Sequence, residues 1–216
     1  MSVVQCQLTS AVKDQFKNLA NAEIQKQLLN GSDAKNANLS QQTQKSFMKV
    51  VQAGSILKYL GFKTDLNNDV CKWLAGAKLE GDSVDTVFYR AEGMRLFECK
   101  DSAFTNTVRD EIQKILANPG SSLASVNDYY QANILNSQAA EYGIKKNDGF
   151  EIVISEQVAK WADSFSFETG LKGSKNPGIN SESMKLIYLM VDKNAPKKVD
   201  QTLTKLIKQG SHTTTD

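Results

Sequence analysis

Histidine is nearly missing from this sequence: the single one, His212, stands in the terminal run Ser211-His-Thr-Thr-Thr-Asp216. A serine or cysteine nucleophile needs a base held in fixed geometry, and most catalytic zinc sites draw on imidazole. A tail residue supplies neither, so Ser/His/Asp, Cys/His and histidine-based metal chemistry drop out. Phosphate-cradling glycine motifs are missing too. Gly170-Leu-Lys-Gly-Ser-Lys175 departs from the P-loop spacing, and no GxGxxG occurs. The expectation is a non-catalytic protein with no catalytic residue, cofactor or metal.

Cysteine is also scarce. Cys6, Cys71 and Cys99 are odd in number, far apart in sequence and in no CxxC or metal-like spacing. The expectation is three reduced, mostly buried thiols in a cytoplasmic protein. No apolar run approaches the roughly 18 residues a spanning helix needs. The start, Met1-Ser-Val-Val-Gln-Cys-Gln-Leu-Thr-Ser10, lacks a basic segment followed by an apolar core, so neither a signal peptide nor membrane insertion is expected. An excess of one charge is lacking as well: 26 basic and 24 acidic side chains leave a net +2, too little to hold a polyanion through total charge.

What remains is the composition of a globular chain. With 216 residues, 40% hydrophobic and 23% charged, it is long enough for a sizeable core, and no linker demands a split. One α-rich domain over residues 1–210, with a flexible tail at 211–216, is expected. Val12, Phe16, Leu19, Ala20, Ile24 and Leu28 recur at helical spacing behind a Thr9 or Ser10 cap, with Gly31 as the stop. Ser40 opens a second helix carrying Phe47, Val50, Val51, Leu57 and Leu60 to Gly61. Gly54 inside it costs roughly 1 kcal/mol relative to alanine, which close approach of another helix would explain. A third begins at Asn67 or Asn68 with Val70, Trp73 and Leu74, Trp73 being a core anchor.

Val84-Asp-Thr-Val-Phe-Tyr-Arg90 and Met94-Arg-Leu-Phe-Glu-Cys-Lys100, parted by Ala91-Glu-Gly93, read as a β-hairpin with Gly93 at positive φ. Further short strands are expected at Val3–Leu8 and Phe150–Ser155. Helices follow from Asp101 or Ser102 to Asn118, from about Ser122 to Tyr142, and over Val158 and Trp161. Residues 164–178 have no period. Met184–Val191 is a buried helix or a buried strand, its Leu and Met content favouring helix, and a last helix opens at Pro196. The fold class is therefore mainly α (α+β): a multi-helix domain of about seven helices with a small β-hairpin and one or two further short strands.

Arginine is the sharpest oddity of composition. A chain that otherwise uses lysine places all three arginines, Arg90, Arg95 and Arg109, between positions 90 and 109. Their planar forks suit carboxylates and phosphates, so they are candidates for partner contact. Pairing with Glu92, Glu98 or Asp110 to brace the hairpin on the next helix is the favoured reading. From Leu171 onward eight lysines face four acids, a local net of +4. Lys185, Lys197, Lys198, Lys205 and Lys208, with Tyr188 for stacking, are the candidate nucleic-acid contacts. Acids lie close together at Glu80, Asp82 and Asp85 and at Asp110-Glu111, the basis of a weaker reading as a carboxylate-dependent enzyme.

The leading expectation is an interaction protein: an adaptor or structural subunit of a larger assembly, of the kind found in bacterial secretion systems or chaperone-like components. Protein partners are expected, and a homo-oligomer is compatible with this reading. The alternative is a viral-type nucleocapsid or coat subunit binding RNA through its lysine-rich C-terminal part.

Overall fold

The computed structural model describes residues 8–32, 39–76, 83–119, 123–166, 170–172 and 180–191. Among them are eight α-helices: α1 (Ser10–Ser32), α2 (Leu39–Tyr59), α3 (Asn67–Gly76), α4 (Val84–Leu96), α5 (Ser102–Ala117), α6 (Val126–Ser137), α7 (Asp148–Ala162) and α8 (Ser181–Val191). A 3₁₀ turn covers Ala139–Tyr142, and two short strands, β1 (Phe165–Ser166) and β2 (Gly170–Leu171), pair antiparallel in the register Phe165↔Leu171. The protein is thus mainly helical with one small hairpin, as its sequence predicts. All of the expected strand at Val3–Leu8 except Leu8, and the helix from Pro196, lie outside the described residues. By internal contacts the chain forms two compact units, Met1–Val108 and Arg109–Asp216.

The hairpin is in a different place from the one expected. Val84–Leu96 is a helix, opened by Ser83, whose Oγ accepts from the Thr86 amide at 3.3 Å. Val84, Val87, Ala91 and Met94 keep a helical period along its buried side, and this outweighs the β-branched and aromatic content of the segment. Gly93 is there for packing, not for a turn. A Cβ on it would stand 2.8 Å from Leu74 Cδ1. Phe150–Ser155 is likewise helical: Asn147 caps α7, and Phe150, Ile154 and Val158 are buried at i, i+4 and i+8. Met184–Val191 is helix, as its composition favours.

In the first unit, α2 buries Phe47, Val50, Val51 and Leu57 as its pattern predicts, against α1 and α4. Phe47 meets Trp73 edge to face at 4.9 Å. On α1 the buried stripe is rotated from the expected one, running through Ala20, Ile24 and Gln27 and leaving Leu19 67% exposed. Leu19 and Ile24 are about 140° apart around a helix, so one face cannot bury both. Gly54 takes a close approach, but from a side chain: a Cβ would lie 2.7 Å from Cζ of Phe97. Cys71 of α3 and Cys99 just beyond α4 form a disulfide, with Cα atoms 5.5 Å apart. This overturns the expectation of reduced thiols, because segments 28 residues apart in sequence meet in space. Cys6 lies outside the described residues.

Among the described residues three helical segments end with the same geometry, a left-handed residue followed by an amide that reaches back five positions. Gly61 (φ 77°) precedes the bond from Phe62 N to Leu57 O, and Gly143 (φ 70°) precedes that from Ile144 N to Ala139 O. At the end of α4 the left-handed residue is Glu98 (φ 55°), before Cys99 N to Met94 O. Glycine takes this conformation freely, whereas an L side chain pays roughly 1–2 kcal/mol. Glu98→Gly is therefore expected to stabilise the protein by about 1 kcal/mol, read as a higher urea midpoint at unchanged slope.

In the second unit, α8 packs on α6 and α7. Ser125 and Asp128 form a capping box that starts α6, and Asn180 Oδ1 accepts from Ser183 N at 2.9 Å to start α8. Asn147 joins three helix ends: its Oδ1 accepts from Phe150 N in α7, its Nδ2 donates to Leu116 O in α5, and its own amide donates to Asn136 Oδ1 in α6.

Tyr129 on α6 is 6% exposed and meets Trp161 edge to face at 5.1 Å. Burial, and then the Asp128 carboxylate, push its phenol above the ordinary tyrosine value. The folded state holds this proton more tightly than the unfolded chain does. The stabilisation is therefore complete below about pH 10 and is lost as pH rises through the folded value. In melts between about pH 9 and 11, Tyr129→Phe is expected to lose stability less steeply than the parent.

Candidate functional site

The three arginines have different surroundings. Arg90 is 4% exposed; its Nε donates to Leu74 O at 3.1 Å and its Nη2 to Ala75 O at 3.4 Å, while the guanidinium lies 5.3 Å from the Phe104 ring centroid. Those carbonyls belong to the last turn of α3, which has no helical donors for them. Arg90 thus fastens α3 to α4. Arg95 forms a fork with Glu92, its Nη2 2.7 Å from Oε2 and its Nε 3.3 Å from Oε1. Arg109 pairs with Asp110 at 3.7 Å, where both side chains are well exposed. Arg95 and Arg109 do pair with Glu92 and Asp110, but each pair lies within one helix, α4 or α5, and braces no hairpin.

Lys185 and Tyr188 on α8 form a local group with α6. Lys185 Nζ is held by the Asn127 side-chain oxygen and lies 5.8 Å from the Tyr130 ring centroid, and Tyr130 meets Tyr188 edge to face at 5.2 Å. Met184, Tyr188 and Val191 are 56%, 46% and 61% exposed. Spaced by four and three residues, they make one apolar stripe along α8. Lys197, Lys198, Lys205 and Lys208 lie outside the described residues, as do Glu80 and Asp82. Asp85 accepts from Gln44 Nε2 at 2.8 Å, a bracing role. Among the described residues no three His, Cys, Asp or Glu side chains lie close enough to share a metal ion, and no helix is long and apolar enough to cross a membrane.

Among the described residues, cavities form locally within each unit. In the second unit, one of about 550 Å³ adjoins Lys145, Lys146 and the start of α7. Asn147 already caps that helix, Asp148 and Glu151 stand in its first turn, and Lys146 is paired with Glu151, so the positive end is answered from within. In the first unit, a cavity of about 280 Å³ lies where α2, α3 and the end of α4 converge. Lys58, Lys63 and Arg95 line it with a single acid, Glu98, over an apolar floor that includes Leu57 and Phe97. Of these only Arg95 stands out in the sequence. Lys58 and Lys63 carry no motif, and the sign at Glu98, a helix stop without its usual glycine, is legible only once α4 is known to be a helix.

Comparison with known proteins finds no match: no family model fits the chain, and no curated protein or solved structure is similar to it.

Proposed function

We propose that this protein is a non-catalytic subunit of a larger protein assembly, an adaptor or structural component that docks another chain through an exposed helix face. The observation that carries this reading is the α8 stripe of Met184, Tyr188 and Val191, three large side chains in line and about half or more exposed. Amphipathic grooves and helix faces recognise partners through such i, i+4, i+7 anchors. Arg109, exposed at the surface, is a rim contact in this reading, while buried Arg90 is scaffold.

Location enters through thiol chemistry. A Cys71–Cys99 disulfide persists most readily in oxidising surroundings, which supports a reading of the assembly as one outside the reducing cytoplasm. A cytoplasmic location, the sequence expectation, favours both thiols free. Alkylation of the protein taken directly from its host separates the two.

The test is co-purification from the native host. A stoichiometric partner is expected, and Met184→Asp with Val191→Asp should release it while the melting temperature stays the same. A partner retained by the double variant, or a clean monomer from the host, overturns the reading. The nucleocapsid alternative is supported by Lys185 over Tyr130 beside Tyr188, since cation and aromatic face together suit a single strand. Absorbance at 260 and 280 nm of the same preparation discriminates it.

A further inference from the structure

We propose that the cavity between α2, α3 and the end of α4 binds a small ligand carrying both a phosphate monoester and a hydroxyl group, such as a phosphorylated sugar. Its volume, about 280 Å³, lies just below the roughly 300–1,000 Å³ of small-molecule sites, which limits the occupant to fragment size. Lys58, Lys63 and Arg95 supply three positive charges and Glu98 one negative. Arg95 is also paired with Glu92, so the local balance is about one positive charge; Lys58 and Lys63 are the side chains that would bind a phosphate monoester, which carries about −1.5 to −2 near neutrality. Arg95 is oriented by its fork with Glu92, so its guanidinium is held in place before a ligand arrives.

Glu98 narrows the chemistry further. A bare anion would be repelled by this carboxylate, and an ionised carboxylate accepts hydrogen bonds but donates none. The ligand must therefore bring a donor as well as a phosphate, and a sugar hydroxyl provides one. Glu98 also occupies the one left-handed helix end, of three with the same hydrogen bonding, that is not glycine. Backbone strain of that kind collects where a side chain serves a ligand. Phe97, 3% exposed, and Leu57, 2% exposed, close the floor and keep water from one side of the contacts.

The shared chemistry has two sources: a free sugar phosphate, or the 5′-phosphorylated end of an RNA strand. Titration of the full chain with ribose 5-phosphate, followed by amide NMR, is expected to saturate, with shifts centred on residues 58–67 and 95–99. Ribose alone should produce none. Lys58→Ala with Lys63→Ala should weaken binding at least tenfold, and Glu98→Gly should abolish the preference for ribose 5-phosphate over inorganic phosphate. A 5′-phosphorylated RNA decamer that binds more tightly than both ribose 5-phosphate and its 5′-hydroxyl counterpart assigns the site to a strand end. Equal or weaker binding assigns it to the free metabolite, and both results uphold the site. Absence of saturation at millimolar ribose 5-phosphate, or saturation that the double lysine variant leaves unchanged, overturns it.

Discussion

Reduction of the Cys71–Cys99 disulfide is expected to lower the melting temperature by roughly 10 °C. The bond closes a loop of 28 residues. Opening such a loop returns chain entropy to the unfolded state worth about 3.5 kcal/mol. For a chain of this length each kcal/mol moves the midpoint by roughly 2–4 °C. The loop contains the last six residues of α3 and the whole of α4, so its closure restrains part of the first unit's helical packing. Melts with and without dithiothreitol measure the effect. The variant Cys71→Ala with Cys99→Ala should melt at the reduced value and ignore the reductant. An equal midpoint for oxidised and reduced parent would show that the loop is already restrained without the bond.

Arg90→Ala is expected to cost about 3 kcal/mol. The side chain is 4% exposed, and it supplies donors to the Leu74 and Ala75 carbonyls. Removing a charged donor from a buried acceptor forfeits about 1.5–3 kcal/mol of interaction and leaves the acceptor dry. The lost packing against Phe104 adds to that. Arg90→Lys should recover only part, since one ammonium cannot reproduce the planar fork. Arg109→Ala is the control: its pair with Asp110 is exposed, and its change should stay within about 0.5 kcal/mol. Urea unfolding of the three variants decides the matter. An Arg90→Ala protein as stable as the parent would refute the scaffold role.

Helical segments that differ from their surroundings by period and cap were legible in the sequence. Asp101, one of the two caps its sequence offers, starts α5 with Oδ1 2.7 Å from Phe104 N. The α4 segment was misread because Val, Phe and Tyr carry strand propensity, while Gly93 resembles a turn residue unless Leu74 is known to press on it. The disulfide was out of reach for a similar reason, as spacing says nothing about which helices lie side by side. Of the candidate site residues, Arg95 and the Lys185–Tyr188 pair were visible through composition. Lys58, Lys63 and Glu98 were not, because their convergence depends on the bends at Gly61 and at Glu98 itself.

Asn147 has a consequence for how the second unit comes apart. A single carboxamide and its adjoining peptide group tie the end of α5, the end of α6 and the start of α7. Each of those termini is bonded to the same residue, so fraying of any one loosens the anchor of the other two. The three should lose amide protection in hydrogen exchange as one cooperative block, with no order of release among them.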